Sequence, residues 1–394
     1  MHRSQRWMGP AWLLLAVLGC ASARPFGEGD DEERGVVPGI TVLVRDSLEI
    51  IRGKRIGLLA DPRLGDADGK SDADVLADAR VRDAKVTVLS LPTDRPLTAA
   101  ALQAVDVLVV DLQGDGTRLG SEMTTLVEAM RAAATAGKPV LVLDRPAPLN
   151  GERTEGGIPD SALLAAMGDR NGPAMPTGLY PVPLRHGMTT GELARVLDER
   201  LAIGASPRVV PMRGWRREMW FDDTELRWVP PSPEATTPAT AYYRALVAPL
   251  EGSNVRVERD GEHAYRRIAA PWLDARRMAT LIEDREVQGV RLRPERVRVN
   301  DADGRRTMPG LRIEIVGRDV AQLPRISAYL IWALVSVGGD SLRLDPARAA
   351  AVFGSEAPVR ALLGGADPDE VADQLIPPAV TFRESARSSF LYYR

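Results

Sequence analysis

Short apolar runs rich in β-branched residues constrain the fold of this chain more than any other feature. They span residues 55–60, 85–91, 105–112 and 139–144, and helical patterns lie between them. Near-continuous apolar strands are typical of a parallel sheet that helices cover on both faces. One helical pattern ends at Gly137, a residue that favours the left-handed cap of a helix. The alternation predicts an α/β fold built on a Rossmann-like, doubly wound sheet.

Two further segments, 179–184 and 207–212, continue the strand pattern. Between them, Thr189 and Glu192 have the spacing of a capping box, which predicts a helix through Leu201. We therefore assign residues 39–215 to the Rossmann-like domain. No Gly-x-Gly-x-x-Gly motif follows the first strand, and no zinc-ligand spacing is present, so we expect neither a cofactor nor a metal.

The second half of the chain has a different character. Residues 216–394 read as an aromatic-rich linker followed by a smaller α+β domain, with a cleft between the two domains. The aromatic cluster has two interpretations: ring packing that fixes a long loop, or a platform on which sugar rings stack. Its members are Trp215, Trp220, Phe221, Trp228, Tyr242 and Tyr243.

The N-terminus has the organisation of an export signal. A cationic start precedes an apolar run at 12–19, and Cys20, the single cysteine, follows it. The run looks like a bacterial lipobox, which predicts a lipoprotein signal peptide at 1–20 with acylation of Cys20; a plain cleaved signal is the alternative. Residues 21–38 are polar and read as a flexible tether. We expect an exported lipoprotein, anchored in the outer membrane and facing the periplasm.

Polar residues follow several of the predicted strands. In a doubly wound sheet, ligands bind beyond the carboxyl ends of the strands. We expect the residues at these ends to meet at one rim, although a surface ion pair for Asp144 and Arg145 and a structural role for His186 are simpler alternatives. The residues are Asp111, Gln113, Asp144, Arg145, Arg185 and His186. The net charge of −3 gives no reason to expect a nucleic-acid partner.

An ordered series of phrases resembles one family, the exo-β-N-acetylmuramidases of the NamZ type. The likeness runs over about residues 40–275 and is specific because the phrases keep their order and spacing. They include Asp106-Val-Leu-Val-Val-Asp-Leu-Gln113, Tyr180-Pro-Val-Pro-Leu-Arg-His-Gly-Met-Thr189 and Ala270-Pro-Trp-Leu-Asp274. The resemblance implies a two-domain glycoside hydrolase that removes N-acetylmuramic acid from the ends of peptidoglycan fragments.

The resemblance also implies where the site has changed. The family has a Ser-Pro-Glu-His-Gly phrase after its second strand, and its glutamate is the proposed catalytic acid. Here Thr93 replaces that glutamate and Asp94 the histidine. A threonine cannot donate a carboxylic proton, and general-acid help is worth roughly 10²–10⁴ in rate. Asp94 and Glu251 are the remaining candidates for the acid, so the catalytic residue stays unknown.

The resemblance implies a set of substrate-binding residues, in which an arginine fork would bind the lactyl carboxylate. The set is Asp111, Gln113, Arg118, Asp144, Arg145, Glu155, Arg185, His186, Trp220, Ser232, Asn254 and Arg259. Three hypotheses follow: an active hydrolase, a catalytically inactive envelope lipoprotein that binds muropeptides or glycans, or an enzyme with a new substrate. The expected partners are peptidoglycan fragments or N-acetylmuramic acid glycosides, and the membrane through the lipid anchor.

Overall fold

A computed structural model describes residues 35–78, 85–89, 97–168, 180–259, 261–301 and 304–393. The predicted signal peptide with Cys20, most of the predicted tether, and Thr93 and Asp94 lie outside these described residues. Within the described residues no helix is both long enough and apolar enough to span a membrane.

A five-stranded parallel sheet forms the first half of the fold. Its strands are β1 (Arg55–Ala60), β2 (Lys85–Leu89), β3 (Val107–Asp111), β4 (Val140–Leu143) and β5 (Arg208–Val210), in the order β2-β1-β3-β4-β5. The register pairs the last residue of β1 with the last of β3, and the last of β3 with the last of β4. The carboxyl ends of these strands therefore lie at one rim, and the predicted α/β fold is confirmed.

Helices cover both faces of this sheet. On one face, α1 (Gly39–Asp46) and α2 (Asp72–Ala77) share an apolar core with alternate strand residues such as Leu58 and Val109. On the other face, α3 (Ser121–Ala136) and α5 (Thr190–Arg200) pack on the remaining strand residues. Because both faces are buried, the strands read as continuous apolar runs rather than as alternating ones.

The predicted strand at 179–184 is wrong for its described part. From Tyr180 to Leu184 the chain is irregular, and only isolated bridges join the next residue, Arg185, to Thr117 and Glu155. The sequence contains Pro181 and Pro183, which lack the N–H groups that a sheet ladder needs. Arg185 and His186 therefore follow a loop that crosses the rim, not a strand of the sheet.

The second half contains a four-stranded antiparallel sheet. Its strands are β6 (Arg256–Val257), β7 (Arg267–Ala269), β8 (Val290–Asp301) and β9 (Gly304–Ile315), in the order β6-β7-β9-β8. The helices associated with this half are α6 (Pro238–Val247), α7 (Ala275–Glu283), α8 (Leu323–Gly338), α9 (Pro346–Phe353), α10 (Glu356–Leu363) and α11 (Pro368–Asp373). The apolar side chains of α8 lie at the centre of this core.

The C-terminal segment returns to the parallel sheet. Phe382 of α12 (Ile376–Ser385) and Phe390 belong to the same apolar core as α3 and α5. Tyr392 packs edge-to-face on Trp215, with ring centroids 4.9 Å apart. A further short helix, α4 (Ser161–Gly168), lies between β4 and α5 in the chain. The end of the chain is thus part of the framework of the first half.

Candidate functional site

A buried ion pair lies at the rim between β1, β3 and β4. Arg145 donates two parallel hydrogen bonds of 2.7 Å to the carboxylate of Asp111 and another to the carbonyl of Gly65. Both side chains are almost fully buried. A paired, forked geometry of this kind is the strongest arrangement that an arginine makes with a carboxylate. It leaves neither group exposed toward a ligand.

Asp72, at the start of α2, adds a second carboxyl to this pair. One of its oxygens lies 3.6 Å from the Arg145 guanidinium. Neither oxygen has a hydrogen-bond partner among the described residues. Burial and the neighbouring Asp111 carboxylate raise the pKa of Asp72 well above its usual value. The position of Asp72 beside the Asp111–Arg145 pair therefore favours its neutral form.

Asp144 is held by four donors. Its oxygens accept hydrogen bonds from the backbone N–H groups of Arg145 and Gly191, and from the hydroxyls of Thr189 and Tyr392. The carboxyl is fully buried, and burial raises its pKa to about 7 although the donors oppose the shift. Asp144 thus joins the start of α5 to the C-terminal segment.

Arg185 and Glu155 form a second buried pair. The guanidinium lies 2.8 Å from the Glu155 carboxylate and also donates to the carbonyl of Leu149 and the side chain of Asn150. The second oxygen of Glu155 accepts the N–H of Leu323 at the start of α8. A carboxylate at a helix N-terminus is favoured by the helix dipole. The pair therefore fixes α8 against the parallel-sheet half.

His186 is a neutral, buried imidazole. Its Nδ1 accepts the N–H of Met188, and its Nε2 has no partner among the described residues. Burial lowers its pKa to about 3, with a further contribution from the charges of Arg118 and Arg185. At neutral pH the imidazole carries no charge, so it is unsuited to binding a carboxylate as a cation.

Arg118 is buried without a carboxylate. Its guanidinium donates to the carbonyls of Gly157, Val182 and Ala351, and burial lowers its pKa to about 9. The side-chain amide of Gln113 also donates to backbone carbonyls, those of Gly114 and Pro146. The three arginines expected to form a carboxylate fork, Arg118, Arg145 and Arg185, therefore all bind groups of the protein itself.

Three predicted residues of the second half, Glu251, Asn254 and Arg259, contact other residues of that half. Glu251 and Arg259 are exposed and form an ion pair of 3.4 Å. Asn254 uses its side chain to bind Ser341 and Arg343. The Ser232 hydroxyl oxygen is buried and has no partner among the described residues. Of this group, Glu251 and Arg259 are the members that offer polar atoms to solvent.

The structure shows a carboxyl cluster that the sequence reasoning missed. Asp115, in the loop after β3, lies 3.5 Å from Arg244 of α6, and its N–H donates to Glu122 of α3. Burial, followed by the neighbouring Asp115, raises the pKa of Glu122 well above its usual value, and burial raises that of Asp115. Buried carboxyls with raised pKa values are candidates for acid–base chemistry. The aspartate and glutamate that closely follow the third strand were the available signal.

The aromatic cluster packs mainly against itself and against arginines. Phe221 and Trp228 meet edge-to-face at 4.8 Å, and the Trp220 indole N–H donates to Asp319. The guanidiniums of Arg185 and Arg318 lie 5.1 and 4.7 Å from the centre of the Trp220 ring. These contacts fix the positions of the Trp220 and Phe221 rings. Within the described part of the chain no group of three acidic, His or Cys side chains could hold a metal ion.

Comparisons with known proteins match the chain along most of its length. The N-terminal and C-terminal family models of the exo-β-N-acetylmuramidase NamZ match residues 46–239 and 241–393. The peptidoglycan β-N-acetylmuramidase NamZ of Bacillus subtilis (strain 168) is 30% identical, over 71% of this chain and 73% of that protein.

Solved structures agree with the fold. A DUF1343 family protein from Bacteroides fragilis NCTC 9343 has a TM-score of 0.80 and 25% identity, covering 91% of this chain and 100% of its own. A second DUF1343 protein from the same strain has a TM-score of 0.67 and 20% identity, covering 91% and 99%.

Proposed function

Because the chain belongs to the family of the exo-β-N-acetylmuramidase NamZ, we propose that it binds peptidoglycan-derived sugars that end in N-acetylmuramic acid. The observation that carries this proposal is the pair of consecutive family matches, over 46–239 and 241–393. Together they span the parallel sheet, the antiparallel sheet and the loops between them. The ligand class follows from the activity by which the matched family is named.

We further propose that hydrolysis is much slower than in a member that has the family's glutamate. Thr93 stands at that position, and loss of general-acid help lowers a rate by roughly 10²–10⁴. Glu251 is a poor substitute because it is exposed and paired with Arg259 at 3.4 Å, whereas the general acid of a glycosidase is shielded from water. The proposal is therefore a sugar-binding protein with little turnover.

Two measurements on the purified chain test the proposal. Calorimetry with N-acetylmuramic acid is expected to show binding, and a chromogenic N-acetylmuramic acid glycoside is expected to be released slowly or not at all. The double variant Thr93→Glu, Asp94→His restores the family's residues and is expected to raise release by roughly 10²-fold or more. Rapid release by the unaltered chain would contradict the slow-turnover proposal. The absence of both binding and release would overturn the ligand class.

The predicted export also stays a proposal. We propose that Cys20 is acylated and anchors the protein in the outer membrane, on the basis of the lipobox-like residues before it. Cell fractionation tests this directly. The unaltered protein is expected in the membrane fraction, and a Cys20→Ala variant is expected to leave it.

A further inference from the structure

A pocket of about 430 Å³ lies between the aromatic cluster and the antiparallel sheet. Its volume is within the roughly 300–1,000 Å³ range of small-molecule sites. The floor consists of Leu149, Trp220, Tyr242 and Tyr243, which are all buried. Both tyrosine hydroxyls are occupied, since Tyr242 donates to the carbonyl of Ala321 and Tyr243 accepts the N–H of Ile315. The tyrosines therefore contribute ring surface to the pocket rather than polar groups.

Two guanidiniums line the same pocket, and each lies on a ring of its floor. Arg318 is 4.7 Å from the centre of the Trp220 ring, and Arg266 is 4.8 Å from the centre of the Tyr243 ring. A stacked guanidinium is planar and held in place, so it loses little side-chain entropy when it binds a carboxylate. The pocket thus presents oriented hydrogen-bond donors above an apolar floor.

The two arginines differ in their partners. Arg318 forms an ion pair of 2.7 Å with Asp222, at the rim of the pocket. Arg266 has no carboxylate within ion-pair distance among the described residues. Its guanidinium stacks on the Tyr243 ring. A partly buried guanidinium that is not paired with a carboxylate can bind an anionic ligand through charge-assisted hydrogen bonds. Arg266 is therefore the group of this pocket that can accept a carboxylate.

We propose that this pocket binds the carboxylate of a muramyl sugar and that Arg266 is its anchor. The inference rests on the proposed function, because that function supplies the sugar. It assigns the recognition of the carboxylate to a residue outside the rim network, where Arg118, Arg145 and Arg185 bind internal groups. The lactyl carboxylate receives the guanidinium fork, and the apolar part of the sugar lies on the rings and Leu149.

Two sugars separate the contribution of the carboxylate to binding from that of the sugar ring. N-acetylmuramic acid and N-acetylglucosamine share the same ring and differ in the lactyl group. The unaltered chain is expected to bind the first more tightly than the second in calorimetry. Arg266→Gln is expected to weaken binding of N-acetylmuramic acid by on the order of 10–100-fold, the loss of a charge-assisted bond, and to leave binding of N-acetylglucosamine unchanged. Arg266→Lys keeps the charge but lacks the forked guanidinium. Its affinity for N-acetylmuramic acid is expected to lie between that of the unaltered chain and that of Arg266→Gln.

An exposed arginine of the antiparallel sheet, Arg291, provides the matched control. Arg291→Gln, on β8 and outside the pocket, is expected to bind both sugars as the unaltered chain does. Hydrogen exchange on the unaltered chain tests the location without a substitution: N-acetylmuramic acid is expected to slow exchange at Ile315 and in α6. Binding that Arg266→Gln leaves intact, with no slowed exchange at the pocket, would overturn this inference while the proposed function stands. No binding of N-acetylmuramic acid by the unaltered chain would instead overturn the proposed function.

Discussion

At the scale of single residues, the rim of the parallel sheet is a framework of buried charges. Asp144 shows the balance of forces most clearly. Its four donors favour the carboxylate, but complete removal from water favours the neutral acid, and burial is the larger effect. Asp111 differs in that its carboxylate is paired with the guanidinium of Arg145, 2.7 Å away. At Asp144, burial therefore decides the balance and raises the pKa.

This balance predicts a pH dependence of stability. The pKa of Asp144 is about 7 in the folded chain and near 3.8 when unfolded, so the folded state binds the proton more tightly. The contribution of Asp144 to the free energy of unfolding is therefore largest below about pH 4 and decreases as the pH rises to 7. Carbon-13 NMR titration of the Asp144 carboxyl is expected to show a midpoint near 7. A midpoint near 4 would contradict the prediction.

At the scale of elements, local patterns predicted the structure well where local forces decide it. The Thr189 and Glu192 capping box begins α5 as expected, and Gly137 ends α3 with a φ of 63°. The strand predicted at 179–184 is wrong for its described part because Pro181 and Pro183 lack the N–H groups of a sheet ladder. The prediction relied on the apolar residues of this segment. Contacts between segments that are far apart in the sequence could not be predicted. For example, no residue near Asp144 in the sequence indicates that the Tyr392 hydroxyl donates to it. For the same reason, the sequence did not predict that the partners of Arg185 are Glu155 and the carbonyl of Leu149.

The C-terminal segment provides the element-scale prediction. The Tyr392 hydroxyl donates to Asp144 and accepts the N–H of Met212. Tyr392→Phe removes both bonds. It leaves the buried N–H of Met212 unpaired, while Asp144 keeps three of its four donors, so the substitution is expected to lower the free energy of unfolding by roughly 1–3 kcal/mol. Urea denaturation measures this. Tyr393→Phe is the matched control, since Tyr393 is 71% exposed, and an equal effect of the two substitutions would refute the assigned role.

At the scale of the whole molecule, buried polar groups join the two sheets. Glu155 binds Arg185 on one side and the start of α8 on the other. Arg118 reaches from the loop after β3 to the carbonyl of Ala351 in α9. Arg217 connects α5 with the loops at Gly151 and Gly187. Charged residues that the resemblance assigns to a sugar site thus form contacts that connect the two halves of the protein.

Substitution of Arg118 is the most direct test of the structural role of these buried polar groups. Arg118→Met removes donors from three buried carbonyls, at Gly157, Val182 and Ala351. Relief of a buried, unpaired charge offsets part of that loss, and we expect a net decrease of roughly 2–4 kcal/mol in the free energy of unfolding. Arg131→Met, on the exposed side of α3, is expected to change it by less than about 0.5 kcal/mol. If Arg118 bound the ligand instead, Arg118→Met would weaken sugar binding and leave the urea midpoint unchanged, because a residue reserved for a ligand contributes little to the stability of the free chain.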